Sequence, residues 1–285
     1  MLAHSAMLPS MPPHVSDPAV RTVSSRHHPL VARCRALAQG KDRSGLLLDG
    51  AHLLAEALAA GLSVEVAAFT DRAWTDPDAE LARLRELAQH RGTEVVRVTR
   101  AVMDAMSPVR TSAGVVGIGA RPQHAMHAAG DAIPLLLIVV DVQDPGNLGA
   151  IVRAAEAGGA TGLIVTGASA DPFSWKALRG SMGSALRLPI VVVPTLDEAI
   201  VAARGLGCQI FAAQPHHAPP FTEAPLTGPV ALLLGGEGPG LAPEAAAAAD
   251  AAITIPMHEP VESLNVAVAA ALLVFEARRQ RGARE

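Results

Sequence analysis

The sequence predicts an α/β protein with two domains, and three observations lead to this expectation. Short β-rich runs alternate with alanine- and leucine-rich segments from Gly45 onward, as in α/β folds. The stretch 121–132 interrupts this alternation and is typical of a linker. Residues 1–20 contain four prolines and no hydrophobic periodicity, which predicts disorder. We therefore expect one domain over 21–120, a linker over 121–133 and a second domain over 134–285.

Strands and helices alternate in both predicted domains. In the first, segments 51–60 and 79–90 have a helical pattern, and the β-rich runs are GLLLD, VEVAAF, EVVRV and GVVGIG. In the second, an apolar helix with a basic end is predicted over 263–279, and the strand-like runs are LLLIVVD, GLIVT, LPIVVV, CQIFAA, VALLLG and AAITIP. Because these runs are apolar on both faces, they predict a parallel sheet covered by helices.

Composition excludes several classes of protein. Half of the 285 residues are hydrophobic and 18% are charged, so the chain can bury a sizeable core. The longest clean apolar run, Leu135–Val140, is far shorter than a membrane helix. The N-terminus lacks the basic and apolar regions of a secretory signal. Cys34 and Cys208 form no CxxC pair, so we expect no disulfide framework, no metal site and a cytoplasmic location.

A basic segment lies at the start of the first domain. The net charge of the whole chain is −4, which disfavours nucleic acid as a partner. Between residues 21 and 43, however, there are six cationic residues and one acidic residue, a local net charge of +5. The charge pattern alone leaves open whether this is a solvated helix face or a surface for phosphates.

A first polar cluster follows a strand of the second domain, in the segment DVQDPGNLGAIVR over 141–153. The strand runs into the turn pair Pro145-Gly146, and Asn147 is expected to cap the following helix. Open α/β sheets usually bind ligands at this edge. Arg153, in an otherwise apolar helix, either faces solvent or binds a phosphate or ribose, because its planar guanidinium suits anionic oxygens.

A second cluster, LLLGGEGPGL over 232–241, is a glycine-rich turn after an apolar strand. Such turns let a ligand approach the backbone closely. The spacing does not match the dinucleotide fingerprint G-x-G-x-x-G, because the sixth position from Gly236 is Leu241. This mismatch argues against a nucleotide-dependent oxidoreductase. Glu237 within the turn is unexpected for a loop that only binds phosphate.

A third cluster, ITIPMHEPVESLNV, covers 253–266. It predicts a short strand that ends at Pro256, a loop, and a helix that begins at Ser263. Ser263 is a good helix N-cap. Capping alone does not explain why Ser263 and Asn265 flank Leu264 before a wholly apolar helix.

In this order and at these spacings, the three clusters resemble N-x-G-x-x-x-R, G-x-E-G-x-G-L and I-P-M…S-L-N-V, the motifs of the SpoU or TrmH-like family of RNA 2′-O-ribose methyltransferases. The resemblance covers about residues 134–280, and 174–188 resembles the family's middle region. More weakly, 24–120 resembles the small L30e-type domain that often precedes it, with Asp49 where glutamate is common. The chain also departs at Glu259-Pro260, where relatives often have small residues.

The resemblance implies a SPOUT fold, a trefoil-knotted α/β domain with a parallel sheet, preceded by a small L30e-like α/β RNA-binding domain. It implies a homodimer that methylates structured RNA with S-adenosylmethionine and without metal. The implied catalytic residues are Asn147, Arg153, Glu237, Ser263 and Asn265. The implied cofactor contacts are Gly235, Gly238, Ile255, Met257 and Leu264. The residues implied to bind RNA are Arg33, Arg35, Lys41 and Arg43.

The implied reaction is an in-line attack of a ribose 2′-oxygen on a sulfonium methyl group. It requires alignment and a route for the hydroxyl proton. Because arginine is essentially never deprotonated in proteins, Arg153 is interpreted as a ligand for the target phosphate that stabilises the developing alkoxide. The other four polar residues are expected to hold Arg153 and the ribose in place.

The separate first domain favours 23S ribosomal RNA over transfer RNA as the substrate. A transfer RNA 2′-O-methyltransferase remains one alternative. A non-catalytic RNA-binding protein on the same fold is another, although a pure binder has no need of all five polar residues.

Overall fold

The computed structural model describes residues 20–75, 77–126, 132–237 and 240–282. The chain forms two compact units, Met1–Arg121 and Pro122–Glu285. The predicted disorder over 1–20 lies outside the described residues except at Val20, and so does the 127–131 part of the predicted linker. No helix in the described ranges is long and apolar enough to cross a membrane.

The first unit contains a five-stranded mixed sheet. Its strands are β1 (Thr22–Val23), β2 (Gly45–Asp49), β3 (Val64–Thr70), β4 (Glu94–Val98) and β5 (Val115–Ala120). They lie in the order β1-β4-β3-β5-β2, with β5 antiparallel to both neighbours and the other pairs parallel. The helices are α1 (Pro29–Ala38), α2 (Ala51–Ala59), α3 (Asp71–Thr75), α4 (Ala79–His90) and α5 (Arg100–Met106).

The four strands and two helices predicted for this unit are present. The sequence did not predict β1, α3 and α5, which contain two, five and seven residues, and it left a helix at α1 as only one interpretation of the basic segment. Elements this short do not complete enough turns or alternations for hydrophobic periodicity to reveal them.

The second unit contains a six-stranded sheet. Its strands are β6 (Leu135–Val140), β7 (Gly162–Thr166), β8 (Ile190–Val192), β9 (Gln209–Ala213), β10 (Val230–Gly235) and β11 (Ala251–Ile253). They lie in the order β11-β9-β10-β6-β7-β8, and every neighbouring pair is parallel, as predicted. The helices are α6 (Pro145–Ala157), α7 (Trp175–Ser181), α8 (Leu196–Gly205), α9 (Pro243–Ala247) and α10 (Val266–Gln280).

Side chains on both faces of this sheet are buried, and helices cover them. On one face Ile138, Ile164 and Leu233 pack with Ala199 and Ala203 of α8. The alternate side chains of β6 and β10 are buried as well. Each fully buried leucine or isoleucine side chain stabilises the fold by about 1.5–3 kcal/mol relative to an exposed one. The two central strands are therefore firmly held, and their carboxyl ends are fixed starting points for the loops of the site.

Two helix starts and one strand end differ from the sequence predictions. Asp144, not Asn147, is the N-cap of α6, and its Oδ1 accepts a hydrogen bond from the Asn147 backbone N–H at 2.8 Å. Asn265, not Ser263, is the N-cap of α10. Strand β11 ends at Ile253 and not at Pro256, because Thr254 forms only an isolated bridge and proline has no N–H to continue a ladder.

Helix α10 is anchored at both ends. At its start, the Oδ1 of Asn265 accepts hydrogen bonds from the backbone N–H groups of Ala267 at 2.9 Å and Val268 at 3.4 Å. Just past its end, the Arg281 guanidinium donates to four backbone carbonyls, those of Leu226, Gly228, Ile133 and Pro134. Ile133 and Pro134 lead into β6, and Gly228 leads into β10. The helix therefore connects the amino edge of the sheet with the loops at its carboxyl edge.

Candidate active site

The first two polar clusters leave the sheet side by side. Val140, the last residue of β6, is in register with Gly235, the last residue of β10. The 141–147 segment and the glycine-rich turn from Gly236 therefore start from neighbouring strand ends. The third cluster follows β11, on the far side of β9 from β10. All three lie at the carboxyl edge of a parallel sheet, where open α/β sheets bind ligands.

One residue from each cluster joins a chain of hydrogen bonds. The Nδ2 of Asn147 donates to the Oε1 of Glu237. The Nδ2 of Asn265 donates to the Oδ1 of Asn147 at 3.1 Å. Because the Oδ1 of Asn265 caps α10, its amide has one favourable orientation, and that orientation aims its NH₂ group at Asn147. The three side chains, here called the polar triad, connect positions that are 90 and 118 residues apart in sequence.

Asp141 holds the backbone around the polar triad, a role that the sequence did not predict. Its φ of 57° is in the left-handed region, which aspartate tolerates better than most residues. Its Oδ1 accepts a hydrogen bond from the Ala168 N–H at 2.7 Å. Its carbonyl oxygen lies against Gly236, where an added Cβ would be 2.0 Å from that oxygen. Only glycine fits at 236, and the turn that carries Glu237 is therefore fixed against the end of β6.

Arg153 and Ser263 do not join the polar triad. Both residues are exposed. Within 20–75, 77–126, 132–237 and 240–282, neither side chain has a hydrogen bond or ion pair. The charge of Arg153 is therefore available for an external anion, as the sequence-based interpretation requires.

Glycines bring α6 and α7 into backbone contact. A Cβ added at Gly149 would lie 2.4 Å from the Ala177 carbonyl oxygen and 2.9 Å from the Cα of Gly180. A Cβ at Gly180 would lie 3.0 Å from the Gly146 carbonyl oxygen. The glycine of the first motif is therefore required by helix packing. Arg153 follows Gly149 by one helical turn, so it lies on the same side of α6.

The predicted cofactor residues lie in the glycine-rich turn and in the loop before α10. Gly235 ends β10, and Gly238 lies outside the described residues. Ile255 and Met257 are half-buried, and Leu264 is 38% exposed. In the described ranges, their three backbone N–H groups have no hydrogen-bond partner. Unpaired amide donors beside apolar side chains fit a ligand with S-adenosylmethionine's combination of hydrogen-bond acceptors and apolar surface.

The basic residues of the first unit differ in how far their charges are compensated. Arg33 forms a bidentate ion pair with Glu65, and this hydrogen bonding lowers the pKa of the Glu65 carboxyl. Arg35 donates its Nε–H to a backbone carbonyl of α5 at 3.0 Å. Lys41 and Arg43 are exposed, and no ion pair to them occurs in the part of the chain that the structure describes. Of the four residues, Lys41 and Arg43 are therefore the two whose charged groups form no hydrogen bond or ion pair within the described residues.

The two cysteines are buried, free thiols. Burial raises the pKa of Cys34 to about 12 and that of Cys208 to about 11. The nucleophilic thiolate is therefore scarce at neutral pH, and neither residue has the properties of a catalytic cysteine. Among the residues that the structure describes, no three His, Cys, Asp or Glu side chains are grouped as a metal site requires.

Comparisons with known proteins agree with this geometry. A family model described as the SpoU rRNA Methylase family matches residues 134–275. A Synechocystis protein named as an uncharacterized tRNA/rRNA methyltransferase is 35% identical over 283 residues, covering 96% of this chain and 98% of that protein. The 23S rRNA (guanosine-2′-O-)-methyltransferase RlmB of a Burkholderia species is 31% identical over 243 residues, covering 82% of this chain and 96% of RlmB.

A solved structure leads to the same family. The AdoMet-bound rRNA methyltransferase from Sinorhizobium meliloti matches with a TM-score of 0.80 at 30% identity, covering 91% of this chain and 98% of that chain. The sequence motifs, the strand order and the junction of the motifs at one sheet edge therefore all indicate the same family. The chain belongs to the SpoU rRNA methylase family and is an RNA methyltransferase.

Proposed function

We propose that this protein transfers a methyl group from S-adenosylmethionine to a ribose 2′-oxygen of ribosomal RNA, in particular 23S rRNA. The observation that carries the proposal is the polar triad of Asn147, Glu237 and Asn265 at the carboxyl edge of the sheet, together with the unpaired guanidinium of Arg153. Ribosomal RNA is supported by the name of RlmB and by that of the Sinorhizobium protein. The name of the Synechocystis relative leaves transfer RNA as the second candidate.

S-adenosylmethionine, when bound, supplies an activated methyl group on sulfonium, so the protein has to provide alignment and charge stabilisation. Backbone groups of Gly235, Ile255 and Leu264 would hold the cofactor, and Met257 would contact it; the family resemblance assigns Gly238, which lies outside the described residues, to the same site. Arg153 binds the phosphate beside the target ribose, and its positive charge stabilises the alkoxide that develops at the 2′-oxygen. As the new O–CH3 bond forms, the S–CH3 bond breaks to leave a neutral thioether, and the hydroxyl proton passes to solvent water.

The polar triad and Ser263 position the ribose in this proposal. The Glu237 carboxylate and the amide of Asn147 offer acceptors and donors to ribose hydroxyls, and Asn265 restrains Asn147. The exposed Ser263 hydroxyl adds a further donor and acceptor. Arginine is essentially never deprotonated, so Arg153 has an electrostatic role and is not a base.

The first unit binds RNA outside the active site. Lys41 and Arg43 contribute most of this binding, because their charges are uncompensated, whereas Arg33 is paired with Glu65 and Arg35 is tied to the backbone. Their phosphate contacts make binding sensitive to salt. We also propose that residues 21–120 adopt the L30e-type fold, which their five-stranded mixed sheet supports.

Three finer features belong to the same proposal. The segments 232–241 and 253–266 are the loops of a trefoil knot, which the strand order β11-β9-β10-β6 supports. The protein acts without a bound metal, since a sulfonium methyl group needs no Lewis acid. It acts in the cytoplasm, where two unpaired thiols are stable in the reduced form.

Methyl transfer from labelled S-adenosylmethionine tests the proposal directly. Purified ribosomal RNA, assembled ribosomal subunits and transfer RNA are offered separately, and the products are digested to nucleosides. We expect label in a 2′-O-methylnucleoside from ribosomal RNA or subunits. Label in transfer RNA alone would replace the proposed substrate, and label on a base would contradict the proposed chemistry. A wild-type protein that binds cofactor but methylates neither ribosomal RNA, nor ribosomal subunits, nor transfer RNA would contradict both the proposed substrate and the proposed chemistry.

We further propose a homodimer formed through α10. Val268, Leu272 and Phe275 recur at i, i+4 and i+7 along this helix and are 49%, 41% and 48% exposed. Val261 and Leu264 in the preceding loop are 51% and 38% exposed. A contiguous apolar stripe of this kind marks an interface on a soluble protein. Because Leu264 is also a proposed cofactor contact, the interface would border the active site.

The double substitution Leu272→Glu and Phe275→Glu is expected to convert the dimer to a monomer. Two carboxylates would have to be desolvated at the interface, which costs far more than the lost apolar contact. Sedimentation or light scattering at micromolar concentration measures the change. Val201→Glu is the matched control, since Val201 is 71% exposed on α8, away from the stripe. A wild-type protein that is monomeric under these conditions would contradict the proposal.

A further inference from the structure

Helix α7 carries an aromatic ring and two cations that the active site does not use. Trp175 is half-buried, and Lys176 and Arg179 are exposed. The Nζ of Lys176 lies 5.7 Å and the Cζ of Arg179 lies 6.0 Å from the centroid of the Trp175 ring. Within the described ranges, no carboxylate forms an ion pair with either cation. These three side chains are here called the α7 surface.

The cations of the α7 surface differ from many other exposed arginines of this protein. Arg21, Arg100 and Arg204, for example, each form an ion pair with a neighbouring carboxylate. In a chain with a net charge of −4, two unpaired cations on one short helix form a local positive surface.

The aromatic contact is also loose. The protein's other tryptophan, Trp74, has the Arg85 guanidinium 4.3 Å from its ring centroid, a close cation–π contact. At 5.7 and 6.0 Å, Lys176 and Arg179 are near the outer limit of such an interaction. The two cations are therefore only weakly engaged by the ring, and both they and the ring remain available to a ligand.

The α7 surface borders the catalytic helix. Backbone contacts of Ala177 and Gly180 with Gly149 fix α7 against α6. Arg153 is exposed and follows Gly149 by one helical turn, so it lies near the α6–α7 contact. The Ser174 Oγ caps α7 by accepting a hydrogen bond from the Ala177 N–H at 3.4 Å, so this helix has a defined start. A polyanion bound at Arg153 would therefore lie next to the helix that carries the α7 surface.

We propose that Trp175, Lys176 and Arg179 form an RNA-binding surface that holds the strand flanking the methylated nucleotide. Lys176 and Arg179 contact phosphates, and the Trp175 ring stacks on an unpaired base. Cations beside an aromatic ring are the combination that single-stranded segments of folded RNA recognise. The proposal rests on the proposed function. It gives the second unit an RNA-binding surface of its own, in addition to the one proposed for the first unit.

The test measures RNA and cofactor binding separately. For Lys176→Glu/Arg179→Glu, we expect the affinity for RNA to fall by at least about tenfold. The slope of log affinity against log salt concentration should become shallower by about 1–2, because each lost phosphate contact removes roughly 0.7–0.9 from that slope. For Trp175→Leu, we expect a loss of about fivefold or more without a change of slope. In both variants the dissociation constant of S-adenosylmethionine should stay within about twofold of the wild-type value.

Charge-preserving and neutral variants complete the test. Lys176→Arg/Arg179→Lys should retain the wild-type salt slope. If the charge-reversed variant does not fold, Lys176→Gln/Arg179→Gln is measured in the same way. If the folded charge variants keep the wild-type RNA affinity and the wild-type salt slope, the proposal is wrong. The same result is expected if this surface binds a protein partner instead of RNA. Failure of the wild-type protein to methylate RNA would instead count against the proposed function, because the binding measurement does not require turnover.

Discussion

Replacement of Arg153 by alanine is expected to lower the rate constant of methyl transfer by about 10²–10³-fold, the usual effect of removing one preorganised charge from a transition state. The guanidinium has no hydrogen bond or ion pair to other described residues, so its removal leaves no buried partner unsatisfied. The fold and the cofactor site should therefore persist. Single-turnover transfer to ribosomal RNA gives the rate, and calorimetry gives the affinity for S-adenosylmethionine.

Two further variants separate the role of Arg153 from a general loss of charge. Arg153→Lys keeps the charge but loses the planar fork that matches phosphate, so an intermediate rate is expected. Arg204→Ala is the control, because Arg204 is 53% exposed on α8 and pairs with Asp250 away from the site. A rate for Arg153→Ala within about threefold of the wild-type rate, a difference under 1 kcal/mol, would remove Arg153 from the mechanism.

Gly149→Ala is expected to destabilise the second unit by about 2–3 kcal/mol, as overpacking of a dense interior does. The substitution should otherwise favour the helix, since alanine exceeds glycine in helix propensity by about 1 kcal/mol. The added Cβ would lie 2.4 Å from a backbone oxygen of α7, and a backbone atom cannot rotate away as a side chain can. The two helices would have to separate, which would also disturb Arg153.

Gly205→Ala is the matched control for this substitution. Gly205 ends α8, and a Cβ there has no atom within 4 Å. The control should be neutral or slightly stabilising, because only helix propensity acts. Chemical unfolding followed by circular dichroism compares the two variants. Equal stability of both variants would mean that α6 and α7 are not in backbone contact.

The parallel sheet of the second unit was predictable because β6, β7 and β10 are apolar at nearly every position, and such strands require cover on both faces. The helix starts were not predictable to the residue. Asp144 and Asn147 are both good caps, as are Ser263 and Asn265, and their intrinsic preferences are nearly equal. The Asp144-Pro145 pair was a usable signal, since proline at the first helical position favours a cap just before it.

The sequence analysis named three residues that the structure joins by hydrogen bonds, but it could not predict how they connect. The motifs contain Asn147, Glu237 and Asn265, yet their mutual hydrogen bonds depend on which strands become neighbours in space. The backbone role of Asp141 depends on its left-handed conformation and on contact with Gly236, neither of which has a periodic signature in the sequence. The α7 surface was missed because its three residues are too few to register as a charged run.

Asn265 uses one amide for two purposes. Its oxygen holds the first turn of α10, and its nitrogen reaches Asn147. The far end of the same helix is tied by Arg281 to the backbone that feeds β6 and β10. The helix is therefore held at both ends, and its first turn contacts the polar triad. If Asn147 positions the ribose as proposed, we expect that binding of another molecule along the outer face of α10 would tilt the helix, change the orientation of the Asn147 amide and alter the rate of methyl transfer.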